Sequence, residues 1–301
     1  MTDLIRVVAL VGPTAVGKTE LSFTLAERVD AEIVSLDSMQ AYRGMDIGTA
    51  KPTAEELARV HHHMIDVSDP TGDVTVARFR DLAREAIADI ASRGRLPLLV
   101  GGSGLYFRAV VDDLKFPPRS ATVRTRLEAE ADAEGPVALH ERLTAVDPVA
   151  AGRIEVGNVR RTVRALEAIE ITGALFSEFD SSWDRYESIY DLRAIGLSRE
   201  RPVLYERIGA RVDAMLAAGL VEEVERLARA GLSRNASQAL GYRQVLEMPE
   251  ASAGELRDEI VRATKRFARR QEAWFRADPR ITWLDGGRPD LPGAAEAAGG
   301  F

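Results

Sequence analysis

The chain has 301 residues, 46% of them hydrophobic, enough for one large or two modest globular domains. Forty basic residues against 47 acidic give a formal charge of −7. That excludes a binder whose affinity for polyanions comes from bulk positive charge, though not a local basic surface. The absence of cysteine excludes disulfides, thiolate metal sites and cysteine nucleophiles.

The opening stretch MTDLIRVVALVGPT has neither a basic leader region nor a small-residue cleavage site, so a cytoplasmic protein without a secretory signal is expected. Residues 4–11 (LIRVVALV) form a nearly continuous apolar run, as a buried parallel strand requires. The loop GPTAVGKT follows, and then ELSFTLAERV, with Leu21 and Leu25 four apart, reads as a helix. AEIVSLDS is a second strand ending in the acid Asp37. His61, His62 and His63 are adjacent on an extended segment, point alternately, and have no acidic partner in the pattern, so a metal site is not expected there. Residues 74–92 read as a helix closed by Arg93-Gly94, and LPLLVGG (96–102) as another buried strand. Runs such as Val7 to Val11 and Leu96 to Val100 are too short to span a bilayer, so no membrane partner is expected.

KFPPRS then breaks the α/β rhythm, and residues 122–178 are helical in pattern with no buried strand. DLRAIGL (191–197) resumes strand character, residues 201–232 are strongly helical, and ITWLD (281–285) is the last strand. The tail LPGAAEAAGGF is expected to be frayed. Phe267 and Trp274, seven apart, share a helix face and are expected to pack in a core. The alternation predicts an α/β fold: a doubly wound parallel sheet of the P-loop type over residues 1–117 and 189–301, carrying a helical insertion at 118–188.

Gly12, Pro13, Thr14, Ala15, Val16, Gly17, Lys18 and Thr19 match G-x-x-x-x-G-K-[ST] between a strand and a helix. Backbone amides and the helix end would hold phosphate oxygens, Lys18 would add charge, and the Thr19 hydroxyl would bind Mg²⁺. No N-K-x-D segment reads guanine. Asp37, at the end of the next strand in the chain, points to an acceptor substrate, which leaves two readings: a kinase moving a phosphoryl group, or a transferase with diphosphate as leaving group. Two basic clusters, Arg153, Arg160, Arg161 and Arg164, and Lys265, Arg266, Arg269, Arg270 and Arg276, read by default as solvated helix faces.

Several segments together resemble the tRNA dimethylallyltransferases, also called tRNA isopentenyltransferases: GPTAVGKT (12–19), DSMQAYRGMDIGTAKP (37–52), HHMIDV (62–67), LVGGSGLY (99–106), NVRRTVRALE (158–167), RIGARVDAMLAAGLVEEV (207–224), ALGYRQ (239–244) and ATKRFARRQEAWFR (263–276). The likeness runs from about residue 5 to 285. It implies transfer of a dimethylallyl group from dimethylallyl diphosphate to N6 of the adenine 3′ of the anticodon in tRNAs reading U-initial codons. It further implies Asp37 as general base, with Thr14 and Ser103 near the reacting groups and Arg207 and Arg211 on the diphosphate, Arg211 assisting its departure. tRNA contacts are implied for Asp37, Ser38, Met39, Gln40 and Ser103, for Arg160, Arg161, Thr162, Val163 and Arg164, for Gln238, Gly241, Tyr242, Arg243 and Gln244, and for Lys265 and Arg269. The insertion would grip the anticodon stem, and a monomer is expected. The chain departs from the family pattern with Ser103 for a frequent Thr, Val159 for Pro and Arg160 for Gln.

Overall fold

The computed structural model describes residues 4–180, 183 and 185–301. The chain divides into two compact units, one of residues 1–112 with 188–301, the other of residues 113–187. The first unit begins β1 (Arg6–Val11), α1 (Lys18–Val29), β2 (Ala31–Ser35), α2 (Ala54–Arg59), β3 (His62–His63), α3 (Val76–Ser92), β4 (Leu96–Gly101) and α4 (Gly104–Val111). The second unit comprises α5 (Ala121–Val146), α6 (Pro148–Arg153), α7 (Val159–Thr172) and α8 (Phe176–Asp180). The first unit resumes with β5 (Asp191–Ser198), α9 (Arg201–Ala217), α10 (Leu220–Ala230), α11 (Arg234–Ser237), α12 (Tyr242–Glu247), α13 (Ala253–Arg276), β6 (Ile281–Asp285) and α14 (Leu291–Gly299).

The sheet order is β3-β2-β4-β1-β5-β6, and every pairing is parallel. β1 lies between β4 and β5, so Val7 to Val11 are covered on both faces and fully buried. That position demands the apolar run the sequence supplies. The loops after β1, β2, β4 and β5 all leave the carboxyl edge of the sheet, where ligands of such folds collect.

The helical stretch at 201–232 is two helices, broken where Gly219 takes φ 95 between α9 and α10. The tail is ordered, contrary to expectation. Asp290 caps α14 by accepting from the Gly293 amide at 3.2 Å, Ala295 is fully buried, and Arg28 pairs with Glu296 at 2.9 Å. Alanine-rich composition gives no periodic signal, yet alanine is the strongest helix former once a cap starts the turn.

The second unit has its own core of Leu127, Leu139, Leu143, Val163 and Leu166. Its long helix α5 kinks at Gly135 (φ 85), just before Pro136. Among the described residues, no helix is long and apolar enough to cross a membrane.

Candidate active site

Between Val11 and Lys18 the chain turns sharply from β1 into α1. Gly12 takes φ 142, and a Cβ there would lie 2.6 Å from the Leu197 carbonyl oxygen on β5, so only glycine fits. Ala15 and Gly17 also have positive φ, and no side chain caps α1. The first amides and the positive end of the helix are therefore available to an anion. The Lys18 ammonium donates back to the carbonyls of Gly12 (2.9 Å) and Pro13 (2.8 Å). Burial, with Arg211 nearby, lowers its pKa to about 7, and Asp37 acts in the opposite direction. Arg207 donates to the Ala15 carbonyl at 2.8 Å, and Thr19 is exposed. Sequence reasoning missed Arg199, which supports the loop from below by donating to the Val16 carbonyl at 2.9 Å.

Asp37 sits just past β2, after the fully buried Leu36. One carboxylate oxygen accepts from the Met39 amide at 2.9 Å. Burial raises the Asp37 pKa, against the amides of Met39 and Gln40 and the charges of Arg211 and Lys18. Burial lowers the Arg211 pKa, with Asp37 opposing. An acid and two cations are thus held together in surroundings that favour the charged form of none of them.

Two clefts meet at this acid. One, of about 800 Å³, follows the phosphate loop and α1 and is lined by Gly17, Lys18, Thr19, Arg207 and Phe23, among others. The other, of about 560 Å³, is lined by Ser38, Met39, Ser103, Gln238, Gly241 and Arg243, among others. Thr14, Asp37, Thr49, Gly102, Arg211, Phe267 and Gln271 line both. Phe267 is half-buried on these walls rather than sealed in a core, and Trp274 is 38% exposed, so neither is the core residue expected.

Gln271 is another residue that sequence reasoning overlooked. Its carbonyl accepts from the Thr14 amide at 2.9 Å while its amide donates to the Gly102 carbonyl at 2.7 Å, tying the phosphate loop to the β4–α4 turn. A signal existed: Thr264, Ala268, Gln271 and Phe275 form one buried stripe on α13, and a glutamine in such a stripe must find partners. Glu223 is a second case, buried in α10 beside Leu220, Val224 and Leu227. It accepts from the amides of Asp46 (2.9 Å), Ile47 (2.9 Å) and Gly48 (3.2 Å) and from the Tyr242 hydroxyl. A Cβ on Gly48 would lie 2.3 Å from the Tyr242 ring.

The residues expected to touch RNA divide accordingly. Tyr242 is buried against Glu223, while Thr162 and Val163 belong to the interior of the second unit. None of these three offers a side chain to RNA, which corrects the expectation. Gln40 accepts from the Ser35 hydroxyl and donates to the carbonyls of Thr49 and Ala50, so it shapes its own loop. The Gln244 carbonyl accepts from the Gly241 amide at 2.9 Å. Arg164 donates to the carbonyls of Pro117 and Pro118 and to Glu167, a structural engagement rather than a free cation. Arg160, Arg161, Gln238, Arg243 and Arg269 are exposed; Lys265 is half-buried, 4.9 Å from the centre of the Tyr205 ring.

The histidine run does have an acidic partner, contrary to expectation. The Nε2 of His63 lies 2.7 Å from Glu32 of β2, and Glu32, His61 and His63 could each turn one ligand atom to a shared point. Arg93 grips the same carboxylate with two nitrogens and Arg95 with a third. The Arg93 guanidinium holds Glu32 well below the usual carboxylate range, and two arginines at the site disfavour a further cation.

A phosphate loop on a central strand of a parallel sheet, with an acid at the exit of β2, one strand away across β4, where two clefts join, defines a P-loop-type group-transfer enzyme. The chain belongs to the IPP transferase family, whose pattern matches residues 40–278. A tRNA dimethylallyltransferase of Streptomyces coelicolor is 53% identical over 294 residues, 95% of this chain and 93% of its own length. The full-length tRNA isopentenylpyrophosphate transferase of Bacillus halodurans has a similar structure, with a TM-score of 0.71 at 43% identity over 98% of this chain and 95% of that one. A eukaryotic dimethylallyltransferase captured acting on tRNA gives a TM-score of 0.80 at 25% identity, covering 97% of this chain and 77% of that one.

Proposed function

We propose that the protein transfers the dimethylallyl group of dimethylallyl diphosphate to N6 of the adenine immediately 3′ of the anticodon in tRNAs reading U-initial codons. The single observation that carries this is Asp37 on the shared wall of two clefts, one floored by a phosphate loop and the other bounded by the Gln238–Gln244 segment. A kinase would also use both clefts, the second for its phosphoryl acceptor; membership of the IPP transferase family is what favours prenyl transfer over it.

The diphosphate sits on the loop amides from Ala15 to Thr19, with Lys18, Arg207 and Arg211 facing its charge. The exposed Thr19 hydroxyl at the head of α1 suits a hard cation that takes oxygen donors and keeps its waters, so Thr19 would hold Mg²⁺ together with diphosphate oxygens. Bound there, the ion supplies neutralisation of charge on the leaving group. The target adenine leaves its stack in the anticodon loop and enters the second cleft, at a cost of a few kcal/mol. Ser103 borders that cleft alone, while Thr14 borders both, beside the reacting atoms.

Asp37 accepts a hydrogen bond from N6–H. The N6 lone pair forms the new bond to C1 of the allyl group as the C1–O bond breaks, the bonding pair leaving with diphosphate. The N6 proton passes to Asp37. Lys18 and Arg211 face the oxygens on which negative charge grows, so they act more strongly in the transition state than in the ground state.

The test uses purified protein, Mg²⁺ and a synthetic anticodon stem-loop with adenosine 3′ of the anticodon. Dimethylallyl diphosphate or ATP is added and the RNA is weighed by mass spectrometry. A gain of one five-carbon unit only with the prenyl donor is expected. No gain, with ATP consumed instead, would replace the transferase by the kinase.

A further inference from the structure

The dimethylallyl tail needs a wall. If the protein is a prenyltransferase, C1 of the donor must lie where both clefts meet, because diphosphate holds it from one side and the amine reaches it from the other. The remaining four carbons of the tail run on from C1 through the C2=C3 double bond to the two methyls on C3 and stay within a few ångströms of that junction. Among the described residues lining both clefts, Phe267 alone brings a wholly apolar side chain; the rest are polar, charged or glycine. The other apolar groups line one cleft only, Phe23 and Ile33 the donor cleft and Met39, Ile208 and Val212 the acceptor cleft. An apolar tail desolvated at the junction therefore meets the Phe267 ring.

The ring is held in register with the reaction. Gln271 lies one turn further along α13 and is bonded to both Thr14 and Gly102. The Arg270 guanidinium carbon lies 5.8 Å from the Phe267 ring centre. A helix pinned to the phosphate loop thus presents one bulky ring on the wall shared by the two clefts.

From this we propose that Phe267 sets the length of prenyl chain accepted, ending the pocket after five carbons; the proposal rests on the transferase reading above. A rigid aromatic wall excludes a longer tail by overlap, whereas an alanine in its place leaves the volume of a ring for the extra carbons. Phe267 is half-buried on an otherwise well-formed helix, and alanine is the best helix former, so the fold tolerates the exchange.

The test is a competition between dimethylallyl diphosphate and the ten-carbon geranyl diphosphate for one anticodon stem-loop, the products being weighed. Wild type is expected to add the five-carbon unit almost alone. Phe267→Ala should shift the product ratio toward the ten-carbon unit by at least about tenfold, in line with what a few methylenes contribute to discrimination. Phe267→Leu should keep the five-carbon preference. A binding measurement separates contact from architecture. Phe267→Ala should weaken dimethylallyl thiolodiphosphate relative to wild type while leaving inorganic diphosphate unchanged. An unaltered product ratio in Phe267→Ala, or equal weakening of both ligands, overturns the proposal. A wild type that adds no prenyl unit from either donor overturns the transferase reading, and this one with it.

Discussion

At Asp37 the demands of folding and of chemistry oppose each other. Its folded pKa lies above its unfolded one because burial outweighs the surrounding amides and cations. Between those two values the folded state binds more protons than the unfolded state, so stability falls as pH rises through the window. At neutral pH the ionised carboxylate is therefore a net burden on the fold, while only the ionised form can accept the N6 proton. Asp37→Asn is expected to melt at a higher temperature than wild type at pH 7, a difference that shrinks as pH is lowered through the window. The same variant should lose about 10²–10⁴-fold in single-turnover transfer while retaining diphosphate affinity. Lower stability at pH 7 together with intact transfer would remove the base assignment. The raised pKa also implies that wild-type kcat/KM falls on the acid side as Asp37 protonates. Gln271 offers a complementary test. Gln271→Ala leaves the Thr14 amide and the Gly102 carbonyl unpaired, so transfer should fall through kcat and donor KM while tRNA KM stays near wild type. A change confined to tRNA KM would show that the bridge does not position the phosphate loop.

The loop from Asp46 to Gly48 holds its shape because another element supplies what it lacks. Its amides converge on one carboxylate from α10, and the Tyr242 hydroxyl at the head of α12 closes the cluster. Glu223→Gln retains one good acceptor oxygen for several donors, so amides are left unmet in a dry site, each costing about 1–3 kcal/mol. Urea unfolding should report a loss in that range, and the stem-loop KM should rise with diphosphate affinity unchanged, because Gly48 lines the acceptor cleft alone. Unchanged stability would mean that solvent satisfies the loop. Interactions of this kind mark the limit of what the sequence discloses. β1 and β4 were legible because a strand buried on two faces must be apolar along its length, and the phosphate loop because its glycines have a backbone reason. Glu223 lies 176 positions from Ile47, and Gln271 lies 169 from Gly102. No local period encodes such a meeting; the only trace is a polar residue standing in an apolar stripe. The capped helix α14 was missed for the opposite reason, since alanines leave no stripe to read.

For the molecule as a whole, the difficulty is an acidic protein and a polyanionic partner. The segment 113–187 carries ten basic and fourteen acidic residues, so it does not attract RNA through its net charge. Any grip it exerts on an anticodon stem must come from individual arginines placed against phosphates, each adding about one unit to the salt slope of binding. The arginines of α7 are not equivalent in this respect. Arg160 is exposed, while the Arg164 guanidinium holds the Pro117 and Pro118 carbonyls and the buried Glu167. Burial alone would raise the Glu167 pKa, but hydrogen bonds from Arg124, the Ser120 amide and Arg164 hold it below the usual value. Removing Arg164 strips one counter-charge from a buried carboxylate and unmakes two carbonyl contacts, a loss of about 1–3 kcal/mol. Arg160→Ala should therefore flatten the dependence of stem-loop affinity on KCl by about one phosphate contact, with no change in unfolding. Arg164→Ala should do the reverse, leaving the slope intact and lowering the unfolding midpoint. If Arg164→Ala instead flattens the slope and leaves stability untouched, that guanidinium changes partners when RNA binds. If neither variant alters the slope, the grip on the stem does not pass through α7, and the exposed Arg269 and Arg243 of the first unit become the next residues to exchange.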